Sequence, residues 1–159
     1  MQTPDLSLQA DEARESSTRV LRRVLNTLAA ETSSDPVCLY RCDLVTNRHE
    51  LVARSDSADD DKAWSSPPME WFHLSAGRPH VVDAYANGSL QSAVVWVLPI
   101  TEHLIGLLAL YAYPAHEHSP GRMARLDGEV DIIHLALEND YRRKSQMASQ
   151  AIQQAAQII

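Results

Sequence analysis

Apolar positions recur at two periods along this chain, and the change of period divides it into three segments. From Leu6, the residues Ala10, Ala13, Ser17, Val20, Val24 and Leu28 follow at intervals of four and three, the spacing of one stripe on an α-helix. Arg14, Arg19, Arg22 and Arg23 fall on the remaining surface. Thr3-Pro4 offers an N-cap followed by a proline in the first turn, where its missing N–H costs nothing. Ser33-Ser34-Asp35-Pro36 breaks the pattern, so the spacing predicts a helix that ends near Glu31.

The middle segment reads as strands. Residues 37–44 and 49–54 flank Val45-Thr46-Asn47-Arg48, a hairpin whose asparagine can occupy a strained turn position. Asp56, Asp59, Asp60 and Asp61 stand among serines and prolines over 55–68, a solvated loop. A turn at 75–79 feeds a short strand, 80–83. The strongest strand signals are 93–100 and 104–113, apolar at consecutive positions, which predicts that both faces of each are covered. Only Thr101-Glu102-His103 separates them, so an antiparallel hairpin is the economical connection.

Helical spacing returns over 122–159. Leu126, Val130, Ile133 and Leu137 form a stripe, Tyr141 and Lys144 interrupt it, and Ala148, Ile152, Ala155 and Ile159 resume it. Such a helix is roughly 57 Å long at 1.5 Å per residue, whereas a core of about 110 residues spans only about 35 Å. The helix must overhang its domain, and an overhanging apolar stripe needs a partner. A parallel homodimer through the terminal helices is the expectation. The chain stops in mid-repeat, which predicts an output domain beyond Ile159.

Composition narrows the function. The 159 residues carry a formal charge of −7, a surface that repels phosphate backbones, so nucleic acid is not an expected partner. The longest nearly apolar run, 104–115, is well short of the ~20 residues that a membrane helix needs, and the acidic N-terminus has no signal-peptide character. Two cysteines make no disulfide framework, so a cytoplasmic protein is expected.

Four motifs in order carry a family resemblance. Ala76-Gly77-Arg78-Pro79-His80-Val81-Val82-Asp83 resembles the GAF stretch in which a small-Gly-basic-Pro turn feeds a strand ending in aspartate. Ser92-Ala93-Val94-Val95-Trp96-Val97-Leu98-Pro99-Ile100 and Leu104-Ile105-Gly106-Leu107-Leu108-Ala109-Leu110 resemble the two strands that follow. Leu135-Ala136-Leu137-Glu138-Asn139 is similar to the signature of the last core helix. The resemblance implies an α/β fold of GAF/PAS type: a central antiparallel sheet of five or six strands flanked by long N- and C-terminal helices. Both helices are expected on one face of the sheet and the 55–92 region on the other. It divides the chain into an N-terminal dimerisation helix (1–31), a GAF-like domain (32–140) and a linker helix (141–159) towards the effector. Gly106 reads as a close-approach position in a buried strand, and Pro99 as the end of a ladder.

No residue constellation announces catalysis. Cys38 and Cys42, four apart in a strand, share a face but lie about 13 Å apart by strand rise, too far for a disulfide; they read as small buried hydrophobes. Free methionine sulfoxide reductase, an enzyme on the GAF fold, keeps its reactive cysteines around the pocket, where 55–92 has none. The bilin-binding subgroup needs a cysteine near the pocket helix, and the cyclic-nucleotide subgroup a pattern that Phe72 alone does not supply. His116-Glu117-His118 lacks a third metal ligand fixed by spacing, and His134 reads as a core-edge histidine. One histidine would suffice to hold a haem, so haem stays open beside other small molecules, and no cofactor is selected.

Trp64, Trp71, Phe72, Tyr85 and Trp96 cluster in the region that forms the ligand cup of a GAF sheet; such rings either line a pocket or fill a core. If a small molecule binds, Trp71, Phe72 and Trp96 are the expected walls, with Asp83 at the polar end. The reading is a non-catalytic sensor that dimerises and signals through its C-terminal helix. The alternatives are a dimerisation module with a closed cup, or a redox enzyme using Cys38 or Cys42.

Overall fold

A computed structural model describes residues 6–56, 64, 66–86, 89–112 and 120–157, with backbone alone at 6–17, 85, 86, 89 and 120. Thr3-Pro4, the run Asp59-Asp60-Asp61, His116-Glu117-His118 and Ile159 lie outside these residues, as does the side chain of Tyr85. The elements are α1 (Leu6–Thr32), β1 (Val37–Asp43), β2 (Arg48–Arg54), a 3-10 turn (Met69–His73), β3 (His80–Ala86), β4 (Ser89–Pro99), β5 (Leu104–Tyr111) and α2 (Pro120–Gln157). The strands form one antiparallel sheet in the order β2-β1-β5-β4-β3.

Local chemistry accounts for the turns. Helix α1 ends in a Schellman arrangement: Ser33 takes a left-handed φ of 55°, and the Ser34 N–H donates to the Ala29 carbonyl at 3.2 Å. In the β1–β2 hairpin Asn47 has φ 55°, and Asp43 Oδ1 accepts the Val45 N–H at 2.9 Å. Thr101 Oγ1 plays the same part between β4 and β5, accepting the Leu104 N–H at 3.0 Å.

Both helices cover one face of the sheet, α1 over β1 and β2, α2 over β4 and β5. Between helices and sheet lies one core built on Leu25, Leu28, Leu39, Val94, Leu108, Val130, Ile133 and Leu137. Residues 93–98 of β4 are all buried, as a strand apolar at consecutive positions requires. Gly106 has the expected role: a Cβ there would stand 2.7 Å from Leu137 Cδ1 and 3.3 Å from the Leu98 carbonyl oxygen.

Three expectations need correction. The α1 stripe has the right period but the wrong phase. Leu21, Leu25 and Leu28 are buried, while Val20 is 56% exposed and Val24 only half-buried. Leucines at 21 and 25 bring more apolar area to the sheet than the valines beside them, and they set the rotation of the helix. Strand β3 runs three residues past Asp83, which pairs with Ser92 in mid-strand instead of closing a ladder. The 55–68 stretch, read as a solvated loop, buries Ser55, Trp64 and Pro67, and the 3-10 turn Met69–His73 follows it.

Candidate functional site

Alternation along the strands sends every second side chain to the face away from the helices. Cys38, Tyr40 and Cys42 of β1, Ala93, Val95 and Val97 of β4, and Leu107, Ala109 and Tyr111 of β5 make a second buried layer there. Trp64, Trp71 and Phe72 roof it. The 3-10 turn presents the last two: Trp71 N–H donates to the Pro68 carbonyl at 3.1 Å, and Leu74 N–H to the Trp71 carbonyl at 3.3 Å. The Trp64 ring packs on Tyr111 with centroids 4.5 Å apart, and Trp71 approaches the same tyrosine at 6.1 Å.

Polar atoms inside this layer are few. The hydroxyls of Tyr40 and Tyr111 are 2.9 Å apart, and the Tyr40 hydroxyl donates to the backbone carbonyl of Trp64. Burial first, then the neighbouring Cys38 and Tyr111, raises Tyr40 far above the ordinary phenol range. For Tyr111, burial outweighs the opposing hydrogen bond with Tyr40 and also raises it. Both are therefore neutral hydrogen-bonding groups. Cys38 and Cys42 are buried on this same face, and neither is in a disulfide. Burial, with Asp43 alongside, pushes the Cys42 thiol up, which disfavours the thiolate that nucleophilic chemistry needs.

The expected pocket residues divide between the two faces. Trp71 and Phe72 belong to the roof. Trp96 does not, because it shares the parity of Val94 and Leu98 and points under the helices, where its indole N–H lies 3.4 Å from Asp127 Oδ1. Asp83 also turns away from the roof: Val82 and Ala84 pack into the aromatic layer, so Asp83 between them faces the other side and is exposed. Nearness in sequence concealed this split, since a strand reverses direction at every residue. His134 is a core-edge residue on α2, its ring N–H donating to the Pro99 carbonyl and its Nε2 3.0 Å from Glu138.

Tyr40, Tyr111 and Gln91 went unread as site residues. Their strands are apolar on both faces, so parity carried no contrast; the remaining signal was that a buried tyrosine must place its hydroxyl. Also unforeseen is an open groove of about 800 Å³ at the far end of the sheet, where Arg48, His49, His103, Tyr141 and Lys144 meet. Its α2 wall is the place where Tyr141 and Lys144 interrupt the seam. Lys144 is held there by Asp140 at 3.0 Å, and Arg41 by Glu50.

No protein-family model matches this sequence, and no curated protein does. Among solved structures, the phycoerythrobilin-bound GAF domain of a cyanobacterial phytochrome matches with TM-score 0.55 and 14% identity, over 87% of this chain and 95% of that one. A phycocyanobilin-bound GAF domain of a cyanobacterial phytochrome matches equally well, over 89% and 98%. The chain therefore has a GAF-like fold, a five-stranded antiparallel sheet flanked by N- and C-terminal helices.

Proposed function

We propose that this chain is a non-catalytic regulatory module that binds a small molecule under its aromatic roof, dimerises through its helices and signals along α2. The observation that carries the reading is the division of labour across one sheet. One face holds an aromatic layer around two neutral phenols, and the other holds both helices. Helix α2 then runs past the domain: its stripe is buried from Met123 to Leu137, but Ala148 and Ala155 are exposed and Ile152 is 70% exposed. An apolar series of this kind is stabilised by a second copy of itself.

Both matched phytochrome domains hold a bilin, so the fold is one that accommodates a bound small molecule. Trp71 and Phe72 are the contacts proposed for this chain. The low thiolate character of Cys42 supports a module without nucleophilic chemistry.

A native mass spectrum of freshly purified protein tests ligand and assembly together, and is expected to show a dimer carrying a small molecule. The Ile152→Asp variant is expected to shift to the monomer at micromolar concentration in sedimentation. A wild-type monomer refutes the dimer, and an unchanged dimer in the variant moves the interface elsewhere.

A further inference from the structure

One corner of the aromatic layer, away from β2, holds two buried polar atoms that have no hydrogen-bond partner among the described residues: Trp64 Nε1 and Gln91 Oε1. Trp64 is 3% exposed, and an indole N–H can only donate. Gln91 has the parity of Ala93 and Val95, and it pairs with Ala84, whose side chain lies in the same layer. Whichever way its amide is turned, it presents a polar atom to that face. The two belong to one corner of the sheet. Trp64 packs at a tilt on Tyr111, Tyr111 pairs with Ala93, and Gln91 is the next residue of that face along β4, a diagonal neighbour at roughly 7 Å.

Buried polar groups are nearly always paired, and each exception calls for a physical reason. Here the exceptions are complementary, one donor and one acceptor. Among the described residues no charged side chain is buried at this corner; Arg54, which pairs with Cys38 and so shares this face, stands on β2, three strands from Gln91. An ionised guest would therefore enter without an adjacent counter-charge, which is costly.

We propose that Trp64 and Gln91 form a two-point recognition site for a neutral, planar heterocycle with an amide-type edge, a C=O beside an N–H. The carbonyl accepts from the Trp64 indole, the N–H donates to Gln91 Oε1, and the flat ring lies against Trp71 and Tyr111. This rests on the reading that the aromatic face binds a small molecule, and it names the chemical class.

The test compares 2-pyridone, which has that edge, with N-methyl-2-pyridone, which lacks the donor, and toluene, which lacks both polar groups. Binding is read by tryptophan fluorescence and chemical-shift perturbation on the full chain. The expected order is 2-pyridone first by roughly ten-fold, the scale of one buried hydrogen bond. Gln91→Leu is expected to abolish the advantage of 2-pyridone over N-methyl-2-pyridone, and Trp64→Phe the advantage of N-methyl-2-pyridone over toluene. Gln91→Leu alone should leave the unliganded melting temperature unchanged or higher, because it removes an unpaired polar group. Equal binding of the three probes overturns the proposed class while leaving the binding face standing. Binding of none of them overturns both. A lower melting temperature for both Gln91→Leu and Gln91→Met overturns the proposal too, because it means that the amide already has a partner.

Discussion

Two glycines show how different a single residue's reasons can be. Gly77 has φ 87° and open space where a Cβ would stand, so its constraint is backbone conformation alone. Gly106 has ordinary φ but no room, because Leu137 of α2 occupies the place of its side chain. Gly106→Val is therefore expected to destabilise the fold by about 1–3 kcal/mol, the usual cost of overpacking, as measured by urea denaturation. Leu137→Ala in the same chain should recover part of that loss, since it vacates the contested volume; independent, additive losses would show that the two sites are not coupled.

At the scale of elements, the helices divide their residues between duties. Leu25 is fully buried and Val20 largely exposed, so Leu25→Ala should cost about 2–5 kcal/mol and Val20→Ala within about 0.5 kcal/mol in chemical denaturation. The sequence made the existence, order and period of these elements legible, because 3.6-residue and consecutive apolar patterns survive without tertiary information. It left two things open. One was the phase of α1, where Val20-Leu21 and Val24-Leu25 offer adjacent stripes and only packing against β1 and β2 chooses between them. The other was the face of Trp96 and Asp83, which depends on strand register. The helices also meet at a titratable contact. Glu129 on α2 is raised from 4.5 to about 7, by burial first and then by the hydrogen bond and charge of Glu31 on α1. A carboxyl raised in the folded state contributes stability that is present below its unfolded pKa and lost as pH rises through the folded one. Melting temperature should thus fall between pH 5 and 8. Glu129→Gln should flatten that slope and stabilise the protein at pH 8 by about 1 kcal/mol, the scale of a solvent-screened interaction; an unchanged slope would remove Glu129 from the account.

For the whole molecule, protection should follow the covering of the sheet. Amide exchange is expected to be slowest in β1, β4 and β5 and fastest beyond Lys144 when the protein is dilute. Protection in that last stretch should grow with protein concentration; rates independent of concentration would argue against helix pairing. The way Tyr111 is anchored has a mechanical meaning of its own. Its ring belongs to the aromatic layer, yet its backbone N–H donates to the Pro36 carbonyl at 3.1 Å and its carbonyl accepts from Asp35 at 3.0 Å, directly after the end of α1. The sheet is a partition one residue thick with a buried layer on each side, and packed layers resist compression. Such a wall cannot absorb a push by compressing. A guest that wedges Tyr111 aside would tug the Asp35-Pro36 segment that follows α1 by the same stroke, and a rearrangement of the helices would in turn squeeze or widen the space around that ring.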